Sequence, residues 1–206
     1  IDIYYLHNPE TQLGYVERET LYSRIEEAFR VFESLRSEGK LGAYGIAAWN
    51  GFLYEEEHTE YLSLARIVQI ARRVGGESHG LRYLQSPFNL AKPHAFAYAN
   101  QQCDDGRYYP LMQACAHYGI TCIASSPLLQ KNLFKRPFSR RIGEAMNTQD
   151  LSDVASALQF ARSAGAISAV FGAVDPQHTA DNALLGYLPA APYEAMQSLM
   201  KDAYAS

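Results

Sequence analysis

Apolar residues follow two rhythms along the chain. Short apolar runs bounded by glycine, proline or polar residues occupy positions 1–6, 42–47, 81–86, 120–124 and 167–171, the length and composition of largely buried strands. Between them the apolar spacing lengthens to three and four. Leu21, Ile25, Phe29, Phe32 and Leu35 make one such stripe, with Glu26 four residues before Arg30 and Gly39 as the stop. A second helix is expected to open at Thr59 as N-cap and to run through Leu62, Ala65, Val68 and Ala71 to the Gly75-Gly76 pair. A third opens at Ser152 with Val154, Leu158 and Ala161 turned inward. Residues 92–109 read as a loop before a helix at 110–118, and a last helix is expected at 191–203.

Strands that alternate with helices at a spacing of about 40 residues are parallel, because each helix returns the chain to the same end of the sheet. The class is therefore α/β, and both a doubly wound sheet and a barrel satisfy the alternation. Five βα units fall short of the eight of a closed barrel. Something is expected to precede residues 1–206, because the chain opens at Ile1 inside a strand-like run, and for a barrel the five units fit a chain whose front third is missing. The strand holding Ile1 is then expected at a sheet edge, and the chain alone to be marginally stable or to associate.

Composition narrows the partners. In 206 residues, 48% are hydrophobic and 19% charged, enough apolar material for a sizeable core. Lys and Arg number 18 against 22 Asp and Glu, a formal charge of −4 that offers no attraction to nucleic acid or anionic lipid. No apolar run reaches the ~18–20 residues of a membrane span, and no signal-like segment opens the chain, so a cytoplasmic protein is expected. Cys103, Cys115 and Cys122 lack the spacing of a zinc site or redox pair and read as reduced, packed thiols. His58, His79, His94 and His117 show no ligand spacing either; they read as surface or loop residues, and no metal is expected.

In either fold the chemistry lies where strands end. The first junction, Tyr5-Leu6-His7-Asn8-Pro9-Glu10, places a histidine at a strand's carboxyl end before a proline, where its imidazole can donate a hydrogen bond to a substrate carbonyl. Alone, such a histidine is more often a structural residue. The segments IDIYYLHNPE, EGKLGAYGIAAWN, QSPFNL, ASSPLL and FGAVDPQHTADN, in that order and spacing, resemble the successive strand-end motifs of the aldo-keto reductase family across nearly the whole chain.

The resemblance implies units four to eight of a (β/α)8 barrel of aldo-keto reductase type. It implies binding of NADP or NAD and reduction of a small-molecule aldehyde or ketone. The family's Asp, Tyr and Lys belong to earlier units, so the resemblance matches only His7 to a catalytic residue in these 206 positions, and the chain alone is expected to be inactive. It assigns Gln85 to the nicotinamide carboxamide and Trp49 to the substrate pocket. Ser125, Ser126 and Leu128 fall in the stretch facing nicotinamide and pyrophosphate, and Gly172, Val174, His178 and Asn182 in the stretch that receives the adenosine end.

Departures accompany the matches. Ala47-Ala48 replaces the family's Ser-Asn pair, Ser125 stands where an aromatic ring commonly stacks on the nicotinamide, and the usual glycine after Leu128 falls at Lys131. They leave open a nicotinamide-binding redox-sensing protein with little turnover, and a non-catalytic part-barrel interaction protein. Asp175 and Pro176 are expected to cap and open a helix, and an anionic cap beside Val174 weakens the expected preference for the 2′-phosphate of NADPH. Lys131, Lys135, Arg136, Arg140 and Arg141 form a basic stretch that reads as a solvated face, or as a neighbour of the cofactor phosphates.

Overall fold

The computed structural model describes residues 1–165 and 168–204. They fall into two compact units, one formed by residues 1–86 and 94–122, the other by 87–93 and 123–206, so the chain changes unit within a strand at 81–87 and again within one at 121–125.

The first unit opens with β1 (Ile3–His7), which pairs in parallel with β2 (Ala43–Ala47), which pairs in parallel with β3 (Leu81–Pro87). β1 lies at the sheet edge, with Ile1, Ile3 and Tyr4 exposed. α1 (Arg18–Ser37) connects β1 to β2 and buries Leu21, Tyr22, Ile25, Phe29 and Phe32, the expected stripe. Gly39 stops it at φ +70, where its N–H bonds Arg36 O at 2.9 Å. Phe29 and Phe32 lie against the Tyr44 ring, with centroids 4.8 and 5.3 Å away. The Tyr44 hydroxyl donates to Glu33 Oε1 at 2.8 Å, and the same oxygen accepts Gly80 N–H at 2.6 Å, so one carboxylate ties α1 to both following strands. Burial works against the charge of Glu33, but the Gly80 amide, the Tyr44 hydroxyl and Arg36 outweigh it and hold the carboxyl below its ordinary value. Gly45 in β2 is required by close approach, since a Cβ there would stand 2.4 Å from Tyr83 O.

α2 (Leu64–Gly75) begins later than the sequence suggests. Ser63, not Thr59, is its N-cap, with Oγ accepting Arg66 N–H at 3.3 Å. The reason lies in the buried Gln101: its Oε1 accepts Leu64 N–H at 2.9 Å and its Nε2 donates to Leu62 O at 3.2 Å, while Leu62 N–H bonds Gly51 O. These bonds hold residues 61–63 out of the helix.

The expected loop at 92–109 is instead α3 (His94–Ala97) and an antiparallel hairpin of β4 (Ala99–Gln102) and β5 (Tyr108–Pro110), followed by α4 (Leu111–His117). Asn100 and Gln101 look like solvated loop residues, yet both are buried. Their amide groups donate to Phe52 O at 2.9 Å each, and Asn100 Nδ2 also to Tyr54 O at 2.7 Å. Cys103, Cys115 and Cys122 are buried free thiols, as expected. His79 departs from the surface reading in being buried; burial first, and Arg82 second, push its pKa down.

In the second unit β6 (Thr121–Ser125) pairs in parallel with β7 (Ser168–Ala169), with Ile123 opposite Ser168 and Ala124 opposite Ala169. The seventh strand is shorter than the expected 167–171, of which Ile167 lies outside the described residues. α5 (Arg140–Met146) arises in the basic stretch. Arg140 is paired with Glu144 at 3.0 Å and Arg141 donates to Ser198 Oγ at 3.1 Å, which favours the reading of a solvated face. α6 (Asp153–Ser163) is capped by Ser152 as expected and packs Phe160 in a stack on Phe88 at 5.1 Å. α7 (Pro176–Leu184) is capped by Asp175, whose Oδ1 accepts Gln177 N–H at 2.8 Å. α8 (Tyr193–Tyr204) starts two residues later than expected, after Pro192. Among the described residues no helix is long and apolar enough to cross a membrane.

Candidate functional site

The carboxyl ends of β1, β2 and β3 put three residues of the first unit in one row. His7 lies opposite Ala47, and Ala47 opposite Gln85. With adjacent strands about 4.8 Å apart, His7 and Gln85 flank Ala47 at roughly twice that spacing. His7 is exposed and Gln85 half-buried. Immediately after His7 the chain turns: Asn8 adopts φ +48, its N–H bonds Ala47 O at 2.6 Å, and Pro9 opens a short 3-10 turn through Gly14. The imidazole is thereby the last strand side chain before the loop. Ala47 and Ala48 are buried, and their backbone groups are engaged within the sheet, Ala48 N–H on Gln85 O at 3.0 Å.

Trp49 follows on the loop leaving β2, 47% exposed. Its N–H donates to Glu10 Oε1 at 2.6 Å. Glu10 is 2% exposed, and its Oε2 is buried without a partner. Burial pushes the Glu10 carboxyl above the ordinary carboxylate range, against the pull of the amides of Glu10 itself, Trp49 and Gly51, and the Glu60 carboxylate pushes the same way as burial. The sequence contains Glu10 within the first motif but gives it no role, because the loop that buries it comes from about 40 positions later.

In the second unit, Ser125 O accepts Phe88 N–H at 3.1 Å. Ser126 sits at φ +50, and its carbonyl accepts Asn89 Nδ2 at 3.0 Å and Leu129 N–H at 3.0 Å. Asn89 is fully buried and its Oδ1 takes the N–H groups of Ala91 and Lys92, so this side chain braces the loop after β6 against residues 89–92. Its motif was visible in the sequence; its role was not. Leu128 packs its side chain on the Ala155, Leu158 and Leu185 cluster. Leu129, Gln130 and Lys131 then follow at φ +46, +51 and +68.

Farther along, Gly172, Val174 and His178 are exposed. Asn182 lies on α7 and, with Asp181, Leu151, Ala155, Leu184 and Leu188, lines an open cleft of about 330 Å³. Asp175 occupies the start of α7 with its own carboxylate. Among the described residues no group of three or more His, Cys, Asp and Glu side chains is placed to hold a metal ion.

No protein-family model matches the chain, and no curated protein matches it. Solved structures do. The aldo-keto reductase of Klebsiella pneumoniae in complex with NADPH superposes with a TM-score of 0.63 at 20% identity, over 99% of this chain and 58% of its own. The aldo-keto reductase AKR11C1 from Bacillus halodurans gives 0.61 at 17% identity, over 100% and 62%. The thermostable aldo-keto reductase Tm1743, in complex with epalrestat, gives 0.62 at 15%, over 97% and 58%. The chain thus has the aldo-keto reductase fold over about three fifths of the length of these proteins.

Proposed function

We propose that the chain is the later, cofactor-holding part of an aldo-keto reductase, an NAD(P)H-dependent oxidoreductase that reduces an aldehyde or ketone to an alcohol. The observation that carries the reading is the row His7, Ala47, Gln85 at the carboxyl ends of three parallel strands, on a fold shared with enzymes of that family, one of which was solved with NADPH.

Each unit offers groups of a kind that a dinucleotide uses. Gln85 offers an amide, donor and acceptor together, to a carboxamide. The Ser126–Leu128 backbone, braced by Asn89, offers the loop for a pyrophosphate, and Asn182 offers its amide at the wall of the cleft to an adenine edge. When bound, a reduced nicotinamide supplies a hydride to the carbonyl carbon. His7 donates an imidazole N–H to the carbonyl oxygen, which fixes its orientation and stabilises the negative charge that grows there. Trp49 presents its indole to the substrate's substituent. The resemblance assigns the proton that completes the alcohol to a tyrosine outside these 206 residues.

A second reading, a protein that holds nicotinamide as a redox sensor with little turnover, is favoured by one observation. Ala47 and Ala48 are buried, side chains without donors, and their backbone groups are used within the sheet. Aldehyde-dependent oxidation of NADPH by a longer chain that carries the earlier units, and with them the proton-donating tyrosine, separates the two. For a reductase, oxidation accompanies aldehyde addition, and His7→Ala lowers kcat by ~10²-fold with cofactor affinity unchanged. Saturable cofactor binding without aldehyde-dependent oxidation selects the sensor. Equal loss of cofactor affinity in His7→Ala makes that histidine structural.

A further inference from the structure

Glu10 stands out in the first unit because nothing about the turn that holds it requires a charge. It lies in the 3-10 turn after β1, buried, with one oxygen on the Trp49 N–H at 2.6 Å and the other unpartnered. Burying a carboxyl this way is costly, and a neutral side chain would close the same turn at lower cost. The loop also lies tightly on it: a Cβ at Gly51 would meet Glu10 Cβ at 3.1 Å and Leu62 Cδ1 at 3.0 Å. Two segments about 40 residues apart are therefore joined at one carboxylate, and what that carboxylate grips is the amide of the chain's single tryptophan.

We infer that Glu10 is a positioning residue for Trp49: its buried Oε1 fixes the loop after β2 and so sets where the indole stands beside the strand ends that carry His7 and Gln85, favouring carbonyl substrates with an aromatic or bulky apolar substituent. This rests on the carbonyl-reductase reading. A rigid indole face offers stacking and apolar area to such a substituent and nothing to a short aliphatic aldehyde.

Trp49 reports on itself, since no other tryptophan contributes emission. The experiment uses the 206-residue chain, its Glu10→Ala, Glu10→Asp and Glu10→Gln variants, far-UV circular dichroism to confirm folding, acrylamide quenching of Trp49, and titration with benzaldehyde or propanal. Aspartate keeps the charge but falls a methylene short of the Trp49 amide; glutamine keeps the acceptor and loses the charge. The account expects Glu10→Ala and Glu10→Asp to raise the quenching constant at least twofold and to weaken benzaldehyde binding at least fivefold, with propanal unaffected, and Glu10→Gln to stay within twofold of the parent. Unchanged quenching and benzaldehyde affinity in a folded Glu10→Ala or Glu10→Asp protein overturns the inference, as does a Glu10→Gln protein as impaired as Glu10→Ala. If NADPH binds none of the four proteins, the reductase reading fails, while the quenching result still decides the role of Glu10.

Discussion

Glu10 also makes a prediction about stability, with a sign fixed by its environment. Its folded-state pKa is raised, by burial first, so the folded chain holds this proton more tightly than the unfolded chain does. The stability linked to that proton is fully present below the unfolded carboxylate pKa and is lost as pH rises through the folded one. One oxygen of this buried carboxyl has no partner. Glu10→Gln cannot ionise and keeps an acceptor for Trp49, so it is expected to gain on the parent as pH rises, by about 1 kcal/mol across the titration. The difference is smallest at acid pH. Urea unfolding of both proteins between pH 4 and 8 checks this; a difference that grows on acidification contradicts it. His7 was legible because a histidine after an apolar run and before Pro9 announces a strand end. Glu10, three residues on, was not, because its burial depends on residues 48–51 crossing over it, and no local pattern encodes that crossing.

Elements were legible where a buried face is apolar and hidden where it is polar. The stripes of α1 and α6 put Phe29, Leu158 and Ala161 in the core at the expected places, and Ser152 and Asp175 cap the helices they announce. The β4–β5 hairpin and the start of α2 were missed together, for one reason. Asn100 and Gln101 spend their amides on the carbonyls of Phe52, Tyr54 and Leu62 and on Leu64 N–H, so residues that read as loop are in fact the interior of the first unit. The loop after β6 carries the converse lesson. Three successive side-chain-bearing residues adopt positive φ there, ending with Lys131 at +68, the position where the family pattern calls for glycine. A left-handed L-residue costs about 1–2 kcal/mol, partly offset in a glycine variant by the greater freedom of the unfolded chain. Lys131→Gly is therefore expected to raise stability by about 0.5–1 kcal/mol, a shift of ~2 °C in Tm for a chain of this size. A lowered midpoint in a thermal melt contradicts this reading of the loop.

For the whole molecule, the central claim is that these strand ends and loops hold a nicotinamide dinucleotide. The adenosine end bears on which one. The start of α7 is capped by the Asp175 carboxylate, Val174 beside it is fully exposed with an apolar side chain, and α7 carries no lysine or arginine. Arg162, the nearest basic residue in sequence, donates to Gln159 Oε1 at 2.6 Å and to Leu188 O at 3.1 Å, while Arg140 pairs with Glu144 and Arg141 with Ser198. The 2′-phosphate that distinguishes NADPH thus meets little fixed positive charge, and NADH is expected to bind within about tenfold of NADPH, a difference of only ~1.4 kcal/mol. Side-by-side calorimetric titration of the chain with NADPH and NADH is the most direct test. The account predicts saturable one-site binding of both, with affinities inside that tenfold window and a five- to tenfold loss for Gln85→Ala, about 1 kcal/mol for the amide contact. Absence of saturable binding by either dinucleotide contradicts it.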